Sequence, residues 1–174
     1  MNKKSPTFLI HILPESALKQ ELLEVDPATT AAILCSDEHN IELLPNMLVI
    51  SFSDTTDKKQ VNAITIEQAR EIINFVKGLS INIQDLYISC SAGESRSPGI
   101  AAGILRMCGR NDKDVWDNPF YVPNSLVYQT LCREFGLFAP DWYVQSLVER
   151  NRQCYLEAVK NGNSCKYEKW QIIE

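Results

Sequence analysis

The stretch that decides the fold reads Leu86-Tyr87-Ile88-Ser89-Cys90-Ser91-Ala92-Gly93-Glu94-Ser95-Arg96-Ser97-Pro98-Gly99-Ile100-Ala101. Leu86 to Ile88 is an apolar run of the kind that fills a buried strand. Small and polar residues follow it, and Pro98 is suited to the first turn of a helix. The stretch therefore reads as strand, tight loop, helix. Gly93 supplies a residue free to take positive φ inside the loop. A loop of this length can curl until its backbone N–H groups face one point, with the positive end of the helix dipole behind them. Such a nest holds a tetrahedral oxyanion.

Arg96 adds a planar fork that can grip two oxygens of that anion. The same field favours a thiolate at Cys90, which makes this residue a nucleophile. Ser97 places a hydroxyl where it can hydrogen-bond the sulfur. The expected catalytic groups are thus Cys90, Arg96 and Ser97, with Ser91, Ala92, Gly93, Glu94 and Ser95 binding the substrate's anion. Spacing alone would equally suit an inert buried cysteine and an arginine on a solvated turn. The strand before Cys90, the glycine in the loop and the proline after Arg96 are what tip the reading. A phosphate-binding loop with a nucleophile at its floor points to a phosphatase.

The stretch resembles the Cys-x5-Arg signature of protein tyrosine and dual-specificity phosphatases, and is most similar to small bacterial and phage members reading Cys-x-Ala-Gly-x-Ser-Arg-Ser-Pro. Pro123 to Leu131, with its Pro-Asn opening, resembles the start of a late helix in dual-specificity phosphatases. The likeness runs from about Asn46 to Gly136. It implies that Cys90 attacks phosphorus, Arg96 binds phosphoryl oxygens, Ser97 assists hydrolysis of the cysteinyl-phosphate, and an upstream aspartate protonates the leaving group. Asp54 and Asp57 both qualify as that acid, and Asp54 is preferred because it directly follows Ser51-Phe52-Ser53. Asp117, downstream of the loop, is a weaker third. Two positions depart from the pattern: Ser89 stands where many members carry histidine, and Glu94 puts a carboxylate in the loop. These keep alive an alternative, a catalytically weak pseudophosphatase that binds phosphorylated ligands. A rhodanese-like sulfurtransferase or an arsenate reductase would also use a strand–loop–helix cysteine. Phosphotyrosine, phosphoserine or phosphothreonine, a phosphoinositide and an RNA 5′-phosphate all fit the chemistry.

At 174 residues the chain suits one domain with a proper core. A net charge of -5 argues against general binding to nucleic acid or a membrane surface. The six cysteines lie far apart, with no Cys-x-x-Cys pair, so neither a metal nor another cofactor is expected. Free thiols in a reducing cytosol are the simpler reading, and the protein is expected to be a cytoplasmic monomer acting on a phosphorylated substrate such as a phosphoprotein. Cys35 ends an apolar run that could neighbour Cys90, either as an ordinary buried thiol or as a disulfide partner. Lys58 and Lys59 could draw an anion to the rim or merely solvate a turn. Asn124 could hold the phosphate loop or cap a helix, and the second is favoured. His11 and His39 have no partners at catalytic spacing.

Apolar runs at Thr7–Leu13, Ala31–Cys35, Asn46–Phe52 and Leu86–Ile88 alternate with helical patterns, which predicts a mainly parallel α/β sheet of four or five strands flanked by helices. Residues 1–160 form the expected catalytic domain and 161–174 a tail, docked or disordered. Thr65 and Gln68 predict a capping box for a helix with Ile66, Ala69, Ile73, Val76 and Leu79 on one face. Further helices are expected from Pro98 to Cys108, from Pro123 to Gly136, and from a cap at Asp141 with Val144, Leu147, Val148, Tyr155 and Val159 inward. Asn111 to Val122 reads as irregular.

Overall fold

The computed structural model of the protein describes residues 7–37, 44–162 and 171–173. The amino-terminal lysines, the His39 turn and Trp170 lie outside the described residues. Five strands form one sheet: β1 (Leu9–Pro14), β2 (Thr30–Cys35), β3 (Met47–Ile50), β4 (Asp85–Cys90) and β5 (Gln171–Ile173). Their order across the sheet is β3-β2-β4-β1-β5, parallel except for β5. The expected α/β architecture is the observed one.

β4 lies at the centre, paired with β1 on one side and β2 on the other, so Cys90 sits in register with both Pro14 and Cys35. Strand side chains alternate between faces. Leu86, Ile88 and Cys90 belong to the main core, whereas Tyr87 packs into a smaller cluster with Leu13, Leu18 and Leu34. Ser89 is in register with Leu13 and Leu34, so its side chain lies on the face opposite Cys90. Leu86 and Ile88 are wholly buried, each contributing roughly 1.5–3 kcal/mol of apolar burial. Both faces of the sheet are covered, which is why these strands read as continuous apolar runs.

Helix α1 (Glu15–Glu21) follows β1 directly and covers the smaller cluster through Leu18. Helix α2 (Ile66–Gly78) carries the predicted capping box on Thr65 and Gln68. Its buried face is Ala69, Ile72, Ile73 and Val76, while Ile66 is half exposed. The buried stripe takes in Ile72 in place of Ile66.

Helix α3 (Arg96–Met107) starts two residues before Pro98, because the Gly99 amide reaches back to the Ser95 carbonyl at 3.0 Å. Pro98 remains acceptable there, since the amide it lacks would have had no partner in a first turn. A short helix, α4 (Lys113–Trp116), interrupts the stretch expected to be irregular. Helix α5 (Ser125–Glu134) buries Val127, Tyr128, Leu131 and Cys132. Helix α6 (Asp141–Lys160) is capped by Pro140, not Asp141. The Asp141 carboxylate is held by Arg133 and Gln129 instead, each at 2.8 Å, which ties α6 to α5. Tyr155 and Val159 are half exposed, and the inward face runs through Val144, Leu147, Asn151 and Ala158. Of the segment after residue 160, Gln171–Ile173 docks as β5, antiparallel to β1. Arg110 clamps that edge through the Phe8 carbonyl at 2.8 Å and the Ile173 carbonyl at 3.1 Å.

Two glycines let α3 approach α5. A Cβ on Gly103 would meet Leu131 at 2.8 Å, and one on Gly99 would lie 2.8 Å from the Asn124 carbonyl oxygen. A leucine terminus can shift; a backbone carbonyl at a helix start cannot do so cheaply. Gly99→Ala is therefore expected to lower the unfolding free energy by about 1–3 kcal/mol, seen as a lower urea midpoint. A midpoint equal to the parent's would refute this close packing.

Candidate active site

The loop from Ser91 to Ser95 joins the carboxyl end of β4 to the amino end of α3. Gly93 has φ of 70°, and a Cβ there would lie 2.7 Å from both Leu13 C and Pro14 N. Glycine is thus required twice, for its dihedral and for the approach of the loop to the end of β1. The Glu94 carbonyl accepts from the Val122 amide at 2.8 Å, and the Ser95 carbonyl from the Asn124 and Gly99 amides at 3.0 Å each. A trans peptide carries its N–H opposite its C=O. With those carbonyls fixed on the outside, the N–H groups of Ser95 and Arg96 point the other way, into the loop.

Cys90 lies at the floor, 3% exposed, with its Sγ 3.2 Å from the Oγ of the fully buried Ser97. Cys35, its in-register neighbour on β2, is pushed up to about 11 by burial. It therefore sits beside Cys90 as a neutral thiol.

Arg96 is held at three points. Its Nη1 donates to the Phe52 carbonyl at 3.1 Å and approaches the Cys35 Sγ at 3.6 Å, and its Nη2 donates to the Ser91 hydroxyl at 2.9 Å. Its Nε is buried and has no protein partner among the described residues. A buried unpaired donor costs about 1–3 kcal/mol, more when charged. The guanidinium is thus pinned by one edge, while a donor on its Nε–Nη2 edge remains to be satisfied by an acceptor from outside.

Asp54 is brought to this loop. Its Oδ1 accepts from the Ser95 hydroxyl at 2.7 Å and from the Asn124 side-chain amide at 2.8 Å. Oδ2 has no hydrogen bond among the described residues. Asp57 is differently employed: its Oδ1 accepts from the Lys59 amide at 2.9 Å, closing an exposed turn. Asp117 is engaged with Arg150 at 2.5 Å. His11 stacks on Tyr87 and bonds Asp85 at 2.6 Å, a contact between β1 and β4.

Asn124 does more than the helix cap favoured from the sequence. Its Oδ1 accepts from the Val127 amide at 3.1 Å, a true cap of α5, and its Nδ2 also reaches the Thr55 carbonyl at 3.1 Å. One side chain therefore joins α5 to the Asp54 loop, and its own backbone amide holds the phosphate loop. The Pro-Asn opening was the only signal of this in the sequence. Ser89, at the position often held by histidine, is fully buried with an unpaired hydroxyl.

The crystal structure of DUSP15 superposes on this chain with a TM-score of 0.54 at 24% identity, covering 86% of this chain and 96% of that one. The chain has the fold of a dual-specificity phosphatase. The crystal structure of PTPMT1 in complex with PI(5)P gives a TM-score of 0.42 at 16% identity, over 90% of this chain and 97% of that one. That of Tk-PTP in the active form gives 0.42 at 12%, over 88% and 99%. No protein-family model and no curated protein matches the sequence. Within the phosphatase fold, the β4–α3 loop stands at the carboxyl edge of the parallel strands, where open α/β sheets place their ligands.

Asn124→Ala removes a helix cap and the tether on the Asp54 loop together. It is expected to cost about 1–2 kcal/mol of stability and to speed amide hydrogen exchange over residues 54–57. Unchanged exchange there would show that Asn124 does not hold the loop.

Proposed function

We propose that this protein is a phosphomonoester hydrolase, of the protein tyrosine or dual-specificity type, that works through a cysteinyl-phosphate on Cys90. The observation that carries this reading is the Nε of Arg96, buried and without a hydrogen-bond partner among the described residues, beside a loop floored by Cys90. Such a donor suits an oxyanion held between the guanidinium edge and the loop amides.

In the first step the Cys90 sulfur attacks phosphorus in line and the bond to the leaving oxygen breaks. Asp54, whose Oδ2 is unpaired while Oδ1 is fixed by Ser95 and Asn124, gives its proton to that oxygen. The negative charge of the transferring group spreads over oxygens that face Arg96 and the amides of Ser91 to Arg96. In the second step Asp54 takes a proton from water as water attacks the cysteinyl-phosphate. The departing thiolate accepts a hydrogen bond from the Ser97 hydroxyl, 3.2 Å away. Asp54 is preferred to Asp57 because its carboxylate sits on the phosphate loop and that of Asp57 closes a turn.

A cytoplasmic setting accords with the free state of Cys35, Cys90, Cys108, Cys132 and Cys154. Among the described residues no helix is long and apolar enough to cross a membrane.

The test is hydrolysis of aryl phosphates with EDTA present. Turnover that survives chelation and disappears in Cys90→Ser is expected. Asp54→Asn should lower kcat by about 10² to 10⁴-fold, more for a poor leaving group than for a nitrophenolate. A full rate in Asp54→Asn with a loss in Asp57→Asn would move the acid to Asp57. No turnover by the folded parent, with phosphorylated ligand still bound, would replace the hydrolase by a binding module.

A further inference from the structure

A cavity of about 280 Å³ opens beside Phe52, with Asp37, Ser51, Phe52, Ser53, Asn62 and Gln68 in its wall. Phe52 belongs to both sites: its carbonyl accepts from Arg96 at 3.1 Å while the residue lines the cavity. The cavity thus adjoins the loop's surroundings at the carboxyl ends of β2 and β3, and Ser53 in its wall precedes Asp54, which accepts from Ser95. We infer that it receives the cationic side chain, lysine or arginine, of a residue flanking the phosphorylated one, and so selects basic phosphoprotein segments. This rests on the hydrolase reading above and specifies its substrate.

Among the described residues Asp37 is the only charged one in the wall, and it is exposed and has no cationic partner. Its Oδ1 accepts the Ser51 hydroxyl, which orients the carboxylate without neutralising it. The Ser51 and Ser53 hydroxyls and the Asn62 amide oxygen add neutral acceptors that an ammonium or guanidinium can use. The opposing feature is the amino end of α2, at Thr65 and Gln68. Its dipole amounts to about half a positive charge, its cap is already closed by Thr65 and Gln68, and Glu67 lies in its first turn. A full charge on Asp37 outweighs that remainder, so the cavity favours a cation over a second anion.

A single phosphate followed or preceded by a basic residue would meet Arg96 at the loop and Asp37 in the wall of the adjoining cavity.

The experiment uses short phosphotyrosine and phosphothreonine peptides, matched except for arginine, alanine or glutamate beside the phosphoresidue, with an aryl phosphate as reference. The arginine peptides should show a kcat/KM roughly two- to fivefold above the alanine ones, the range for a solvent-exposed ion pair, and the gap should narrow with salt. Asp37→Asn should abolish the gap and leave aryl phosphate turnover unchanged, and Asp37→Lys should favour the glutamate peptides. Equal rates on all three peptides, or a preference that survives Asp37→Asn, would overturn the inference. So would faster cleavage of a phosphoinositide in vesicles or of a 5′-phosphorylated RNA at equal concentration. If aryl phosphate is not hydrolysed at all, the hydrolase reading fails by itself. The cavity is then judged by fluorescence anisotropy of the same peptides on Cys90→Ser protein, where tighter binding of the arginine peptides supports it and equal binding refutes it.

Discussion

Asn124 is the residue on which the site's assembly depends. It is 2% exposed, and its four polar groups are spent on three different segments. Its backbone amide binds the Ser95 carbonyl of the phosphate loop, and its backbone carbonyl accepts the Tyr128 amide within α5. Its side chain caps α5 at Val127 and draws in Asp54 and Thr55. Buried networks of this kind strengthen while complete and become costly once a member is lost. Here the completed network turns the loop carbonyls outward, sets the peptide N–H groups inward and brings a carboxylate to the same rim. The sheet supplies the platform, but this one amide sets the relative position of nucleophile, oxyanion donors and acid.

In the proposed site a phosphate would be held in a protein whose net charge is -5, so attraction must be local. Arg96 supplies it from a partly buried position in which its other hydrogen bonds go to neutral acceptors, the Phe52 carbonyl and the Ser91 hydroxyl. No protein carboxylate bonds the guanidinium among the described residues, so its charge remains available to an anion. Cys35 follows the same logic: burial keeps it a neutral thiol beside Arg96, and it adds no competing charge.

Much of this was legible in the chain because the decisive signals are local. The strand Leu86–Cys90, the loop glycine and the helix behind it occupy one stretch, and the capping box of Thr65 and Gln68 spans three residues. The errors fall where tertiary contacts override local pattern. α3 begins at Arg96 because Ser95 finds a partner in Gly99, which a proline at position 98 does not announce. Asp141 looks like a cap, yet Arg133 and Gln129 claim it. Ile66, Tyr155 and Val159 fit a helical stripe yet are half exposed. The bond from Asn124 to Asp54 joins residues 70 apart, and no spacing rule reaches that far. The same holds for the unpaired Nε of Arg96, which only a fold can reveal.

The central claim is that the β4–α3 loop and Arg96 form a site for a tetrahedral oxyanion. Calorimetric titration of the folded protein with tungstate addresses it without requiring turnover. One anion per chain is expected to bind at neutral pH, with affinity falling at least about tenfold in Arg96→Lys, which keeps the charge but loses the Nε–Nη2 fork. Absence of binding, or binding that Arg96→Lys leaves unchanged, would contradict it.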